Sequence, residues 1–382
     1  MRDLVHQLPG SLIREIANGA MHRPDVLALW FGESDLPTDP LIRAAAVESL
    51  GQGETFYAPN LGIAPLRAAI AAYQNAQHGG ASRAENIVVT VSGLNALLVA
   101  LSAVIDPGDD VITLTPGWPN IAAIPALLGA SVTLAELRLE HGRFALDLDA
   151  LIAAIGPRTR AVLLNSPHNP TGWQMPADQV RRLADELDRR GIWLIADEVY
   201  GRMVHEGDHA SFLPLFDDAR RIIVVNSFSK TWAMTGWRLG WLTIPAALGD
   251  QFAKLMEFNT SCAPVFVQRA GLAAIAQGEP FVARQSVRLK AARAAVQQAL
   301  GQHPRIELPV MDATFYAFPR IAGLVDGAAF ARRAIEEIGV GLAPGEAFGE
   351  AGRGHIRLCY ARDPDVVATA CRRLADMLDT TG

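Results

Sequence analysis

Seven short apolar runs constrain this chain more than any other feature. They read IVVTV (87–91), VITLTP (111–116), SVTLAEL (131–137), AVLLNS (161–166), WLIAD (193–197), RIIVVN (221–226) and GWLTI (240–244). Each is short for a buried helix, and most lack the alternation of a strand with one wet face. Between several of them lie segments with helical spacing. The clearest is 176–190, PADQVRRLADELDRR, where Val180, Leu183, Ala184 and Leu187 share one helical face. Strands buried on both faces and separated by helices predict an α/β fold, with a large domain built on a mostly parallel sheet flanked by helices.

After about residue 280 the pattern changes. A long helix is predicted over 281–300, then shorter elements including the strand IRLCYA (356–361) and a terminal helix near 364–379. At 382 residues the chain is too long for one small core. The reading is a large domain over 43–281, with residues 1–42 and 282–382 forming an N-terminal arm and a smaller α+β domain. Residues 86–105 carry no charge and are numerous enough to cross a bilayer. Thr90, Ser92, Gly93 and Asn95 interrupt them, so they read instead as a strand, a Ser-Gly turn and a buried helix over 94–105.

The formal net charge of −6, without a Lys/Arg cluster, argues against a nucleic-acid partner. MRDLVHQLPG has no apolar signal core, and no membrane partner is expected. Three cysteines, Cys262, Cys359 and Cys371, show no zinc-ligand spacing. No metal is expected, and a reducing cytoplasm suits this usage.

Parallel sheets place ligands beyond the carboxyl ends of their strands. That rule gathers Ser92-Gly93, Pro116-Gly117-Trp118, Pro167-His168-Asn169, Asp197 and Ser227–Lys230, each at the end of an apolar run. The segment VVNSFSKTWAMTGWRLGW (224–241) sets Lys230 and Arg238 in apolar surroundings with no acid between or beside them. Lys230 either snorkels to the surface or, desolvated, forms a Schiff base with a carbonyl cofactor. Ser227 and Arg238 together can hold one phosphate.

Asp197 either caps a turn or, if buried, needs a cation such as a protonated pyridine nitrogen. Tyr200 lies three residues further on, near enough to reach the same ring. In SPHNPTG (166–172), Asn169 donates to a ring oxygen, or the loop is only a turn. Ser92, Gly93 and Leu94 open a helix whose N-terminus holds phosphate, or Ser92 is simply its cap. Trp118 stacks on a ring or fills core. Arg357, in HIRLCYA, is an ion-paired strand residue or a bidentate clamp for an α-carboxylate.

In order and in company, FGESDLP, YAPNLG, SGLNALL, DPGDDV, PGWPN, SPHNPTG, DEVY, SFSK…GWRLGW, APGEAFG and HIRLCYA resemble the fold-type I, pyridoxal-phosphate-dependent aminotransferases of class I/II. The resemblance implies that Lys230 carries pyridoxal 5'-phosphate as a Schiff base and later moves the substrate proton. It implies that Asp197 pairs with the pyridine nitrogen and that Tyr200 and Asn169 hold the ring's 3-oxygen. Trp118 would stack on the ring. Ser92, Gly93, Ser227 and Arg238 would hold the phosphate, with Leu94 offering only its backbone. Arg357 would clamp the substrate α-carboxylate, with Gly32, Asn169 and Trp118 around it. Tyr57 matches a tyrosine that reaches a phosphate across a subunit interface, which implies a homodimer.

Three departures from the family pattern stand out: Ser34 in FGESDLP, Asp312-Ala313 in MDATFY, and Leu94 itself. None removes a catalytic group. The implied activity is transfer of an amino group from an L-amino acid to a 2-keto acid by a ping-pong mechanism. Residues 239–268 hold one basic residue, Lys254, which favours a neutral or aromatic donor over a dicarboxylic one. The alternative on the same residues is a β-C–S lyase. A DNA-binding regulator of similar sequence would need more chain before FGESDLP and a basic cluster.

Overall fold

Every one of the seven apolar runs lies in a single central sheet. The computed structural model describes residues 1, 3–8 and 10–380. Among the described residues the sheet has eight strands. Their spatial order is Ile87–Thr90, Gly240–Thr243, Ile222–Ser227, Trp193–Asp197, Thr159–Asn165, Asp110–Thr115, Ser131–Glu140 and Arg143–Leu146. The pairings from Ile222–Ser227 across to Ser131–Glu140 are parallel. Gly240–Thr243 is antiparallel to both of its neighbours, so Ile87–Thr90 points the same way as the parallel set. The polar residues following Ile87–Thr90, Asp110–Thr115, Thr159–Asn165 and Ile222–Ser227, together with Asp197 at the end of its own strand, therefore gather along one edge of the sheet.

The eighth strand, Arg143–Leu146, was not legible in the sequence. It returns antiparallel to Ser131–Glu140 through His141-Gly142, both with positive φ (50° and 75°). That is the two-residue hairpin geometry that matches strand twist.

Successive residues of the inner strands enter opposite cores. Ala161, Leu163, Ile195, Ile223 and Val225 pack on one face, and Val162, Leu164, Leu194, Val224 and Ala196 on the other. Full burial of such side chains stabilises by roughly 1.5–3 kcal/mol each, which explains the unbroken apolar runs. The helix Ala177–Arg190 buries Val180, Leu183, Ala184 and Leu187, the four residues its spacing singles out, and ends on left-handed Gly191. Residues 86–105 divide into the strand Ile87–Thr90 and the helix Gly93–Val104. Among the described residues no helix is long and apolar enough to cross a membrane.

The smaller α+β part packs the helices Glu279–Leu300 and Pro364–Thr380 around Leu289, Val296, Leu374 and Leu378. The long helix begins two residues before its predicted start, with Pro280 in its first turn. Ile356–Cys359 lies between Tyr316–Ala317 and Ala343–Pro344, antiparallel to both. The N-terminal arm joins this part through Leu27–Ala28, parallel to Val340–Gly341. Residues 30–32 then lead to the polar edge of the central sheet.

Candidate active site

A cavity of about 410 Å³ opens at that edge. Gly93, Leu94, Trp118, Asn169, Asp197, Tyr200, Ser227, Lys230, Arg238, Arg357 and Gly32 all line it. A larger groove of about 690 Å³, between Pro304 and Gly354, has no strand end of the central sheet in its walls.

Close backbone packing makes the edge possible. Gly240 pairs in register with both Thr90 and Ser227. A Cβ there would lie 2.7 Å from Gly93 N and 2.9 Å from Asn226 O. Glycine at 240 thus lets the turn Ser92-Gly93 and the end of Ile222–Ser227 sit side by side.

Lys230 sits in the one-turn helix Phe228–Thr231 directly after its strand. Its Nζ donates to Gly32 O at 2.6 Å and lies 5.8 Å from the Tyr200 ring centre. Among the described residues no carboxylate is within ion-pairing distance. Burial, with Arg357 and Arg238 adding like charge, lowers the amine to about 8. Asp197 is 3% exposed, and among the described residues its side chain accepts one hydrogen bond, from Val199 N at 3.3 Å. No cation pairs with it among the described residues. Burial raises its carboxyl to about 7.

Arg357 is 3% exposed. It donates to Asn169 Oδ1 at 3.0 Å and to Trp30 O, and its guanidinium lies between the rings of Tyr316 (4.5 Å) and Phe348 (4.8 Å). Its Nε is buried with no hydrogen-bond partner among the described residues. Because arginine offers only donors, Asn169 must turn its oxygen to Arg357, which leaves Nδ2 to donate elsewhere. Tyr200 Oη and Tyr316 Oη share a hydrogen bond of 2.9 Å. Burial pushes the Tyr200 phenol well above its ordinary value, so it stays protonated. Tyr316 also explains Gly32, where a Cβ would stand 1.9 Å from its Oη.

At the other end, Ser227 Oγ donates to Leu239 O (3.2 Å), accepts from Ser229 N (3.1 Å) and shares a hydrogen bond with Ser229 Oγ (2.9 Å) for which the Ser229 hydroxyl supplies the proton. Arg238, left-handed at φ 54°, donates to Thr235 O and has no carboxylate partner among the described residues. Ser92 is placed differently from its neighbours. Its Oγ accepts from Asn95 N at 3.2 Å as the helix cap, and it is not in the cavity wall. Tyr57 is 91% exposed and lies outside the wall of this chain's own cavity.

These residues fit pyridoxal phosphate. An exposed cation at Arg238 and a buried one at Arg357 lack anions among the described residues, a buried carboxyl lacks a cation, and a lysine of lowered pKa lines the same cavity. Among the wall residues not read from the sequence as site residues are Ser229, Tyr316, Asn165 and Arg14. Ser229 lies two residues from Ser227, a spacing that hints at it. The other three depend on contacts distant in the chain.

Residues 25–374 match the family described as Aminotransferase class I and II. Arginine–pyruvate transaminase AruH of Pseudomonas aeruginosa is 35% identical over 92% of this chain and 89% of its own length. Aromatic-amino-acid aminotransferase 2 of Thermococcus litoralis is 31% identical over 99% and 98%. The aspartate aminotransferase of Thermus thermophilus with maleate superposes with a TM-score of 0.92 at 30% identity, covering 98% of this chain and 99% of that one.

Proposed function

The chain belongs to the aminotransferase class I and II family, and on that premise we propose that it moves an amino group from a neutral or aromatic L-amino acid to a 2-keto acid in two half-reactions at one site. It is a pyridoxal-phosphate-dependent transaminase. One observation carries the reading: Lys230 and Asp197, at the ends of neighbouring strands, are an amine and a carboxyl without counter-charges.

When bound, the cofactor supplies an electron sink for the substrate α-carbon. Asp197 is ionised against the ring nitrogen and keeps a proton there. Arg357 clamps the α-carboxylate with its planar fork, held in place by Asn169, Trp30 O and two rings. Tyr200 and Asn169 Nδ2 would hold the ring's 3-oxygen, and Trp118 would pack on the ring. Ser227, Arg238 and the backbone N–H groups at Gly93 and Leu94 hold the phosphate at the start of the helix. The Lys230 amine would take the substrate α-proton as a general base and would return a proton as a general acid. The second half-reaction, with a 2-keto acid, uses the same groups in reverse.

The relatives are named for arginine, aromatic and aspartate substrates at similar identity, so identity alone does not select one. The shortage of basic residues over 239–268 supports a neutral or aromatic donor. Rates with a panel of amino donors check this, with phenylalanine or leucine expected above aspartate. A clear preference for aspartate removes the donor assignment. Pyruvate and thiol release from cystathionine without any keto acid replaces transfer with β-elimination.

The exposed pair Phe56 and Tyr57 (84% and 91%) supports a homodimer in which Tyr57 reaches the neighbouring cavity. Sedimentation is expected to give twice 41.0 kDa. A fully active monomer would remove that role. The three unpaired thiols suit a reducing cytoplasm.

A further inference from the structure

We propose that Tyr316 is the positioning residue for Tyr200: its hydroxyl donates to Tyr200 Oη and so aims the Tyr200 proton at the cofactor's ring oxygen, an inference that rests on the transaminase reading above. Both tyrosines line the cavity. Their hydroxyl oxygens are 2.9 Å apart, and among the described residues each is the other's one hydrogen-bond partner. Two hydroxyls hold two protons, and the bond between them uses one. The direction of that bond decides which tyrosine has a proton left for a ligand.

Tyr316 is held on every side. It is buried in the strand Tyr316–Ala317, where it pairs in register with Cys359. Its backbone N–H donates to Thr314 Oγ1 at 3.2 Å. Arg357, the diagonal neighbour on the partner strand, sets its guanidinium 4.5 Å from the centre of the Tyr316 ring. The hydroxyl rests against Gly32, where a Cβ would stand 1.9 Å from it. Gly32 O accepts from Lys230 Nζ at 2.6 Å, and Tyr316 makes no hydrogen bond to it.

If Tyr200 donated to Tyr316, the spare proton would sit on Tyr316, which has no second acceptor among the described residues. Tyr200 would then offer the cavity lone pairs alone, and an anionic oxygen would meet no donor there. If Tyr316 donates, the spare proton sits on Tyr200, whose ring centre is 5.8 Å from Lys230 Nζ. Charge favours this second direction. Burial raises the Tyr316 phenol and keeps its proton on, while the Arg357 guanidinium beside its ring pulls the other way and makes it the stronger donor. Hydrogen bonds in a chain polarise one another, so the bond received at Tyr200 Oη strengthens the one that Tyr200 gives. The chain also joins the two parts of the molecule. Tyr200 follows the central strand Trp193–Asp197, and Tyr316 belongs to the smaller sheet that carries Arg357.

The test is a pH titration of the visible band of the lysine-bound cofactor, in the wild-type holoenzyme, Tyr316→Phe, Tyr200→Phe and the double variant. Hydrogen bonds to the anionic ring oxygen favour the form in which the nitrogen joined to Lys230 has lost its proton. Loss of a donor therefore raises the midpoint. Tyr200→Phe is expected to raise it by about 1 unit, and Tyr316→Phe by about 0.3–0.7 unit, with the ring still in place against Arg357. In the Tyr200→Phe background, Tyr316→Phe should add less than about 0.2 unit, because its hydroxyl acts only through that of Tyr200. An unchanged or lowered midpoint in Tyr316→Phe overturns the assignment, as does an equal shift with and without the Tyr200 hydroxyl. So does a Tyr316→Phe protein that takes up no cofactor, since that hydroxyl would then be structural. A wild-type band that does not titrate also removes this role alone. A wild type that takes up no cofactor sinks the transaminase reading instead.

Discussion

Lys230→Ala is expected to lower kcat by at least about 10⁴-fold and to abolish the visible absorbance of the lysine-bound cofactor. The wild type, by contrast, should be yellow after dialysis against pyridoxal phosphate. The size of the effect follows from the position. Lys230 Nζ is the one amine lining the cavity, and burial lowers it to about 8, so a useful fraction is unprotonated near neutral pH. Its hydrogen bond to Gly32 O is the contact the variant gives up. Because the buried ammonium is unfavourable below about pH 8, the thermal midpoint of the cofactor-stripped variant near neutral pH should not fall below that of the stripped wild type. Lys230→Arg keeps a charge but no nucleophile and should be equally inactive. A wild type that takes up no cofactor would sink the assignment.

Asp197→Asn should reduce kcat by about 10²- to 10³-fold, because an amide cannot stabilise a cationic ring nitrogen. Its second effect lies in stability, and its sign can be worked out. Burial raises the Asp197 carboxyl from 3.8 to about 7 in the folded chain. Between those pH values the folded protein holds a proton that the unfolded chain has released. This contribution is fully present below about pH 4 and is lost as pH rises through 7, on the order of 4 kcal/mol for a shift of about three units.

The stripped wild type should therefore lose stability from pH 4 to 7 relative to Asp197→Asn, and the variant should be the more stable of the two at pH 7.5. Lys230, lowered from 10.5 to about 8, gives the opposite slope between those two values. The difference between the two proteins' curves isolates Asp197 from every other acid. Parallel curves would remove the claim that this carboxyl is buried without a cation. Bound cofactor should reverse the order, since the wild-type carboxylate then has its partner.

The central sheet was legible because burial on both faces leaves a sequence nothing to alternate. The edge strand Arg143–Leu146 was not, since four residues with two buried carry little pattern, and its turn depends on His141 accepting a positive φ. In the site, the rule that ligands bind beyond strand ends brought Gly93, Trp118, Asn169, Asp197, Ser227 and Lys230 together without any contact information. Gly32 drew its functional reading from the family resemblance, and Arg357 was read from its chemistry as either an ion-paired strand residue or a carboxylate clamp, because neither follows a strand of the central sheet. Tyr316 meets Tyr200 across 116 positions, and Arg14 reaches the cavity from an arm that joins the smaller part of the molecule first. Such contacts belong to the assembled fold and leave no local trace. For the Ser92 side chain the plain reading, a helix cap, is the one the structure supports.

The run Trp30–Gly32 has a consequence for affinity. It restrains Arg357 and Lys230 with peptide oxygens and Arg14 with a ring, and Thr235 O does the same for Arg238. All of these are neutral partners. A carboxylate in any of those places would act as a competitive inhibitor encoded in the chain, to be evicted at every turnover before phosphate or substrate could bind. Peptide oxygens and a ring fix the direction of each cation while leaving its charge uncancelled, so incoming anions meet aimed donors and no rival.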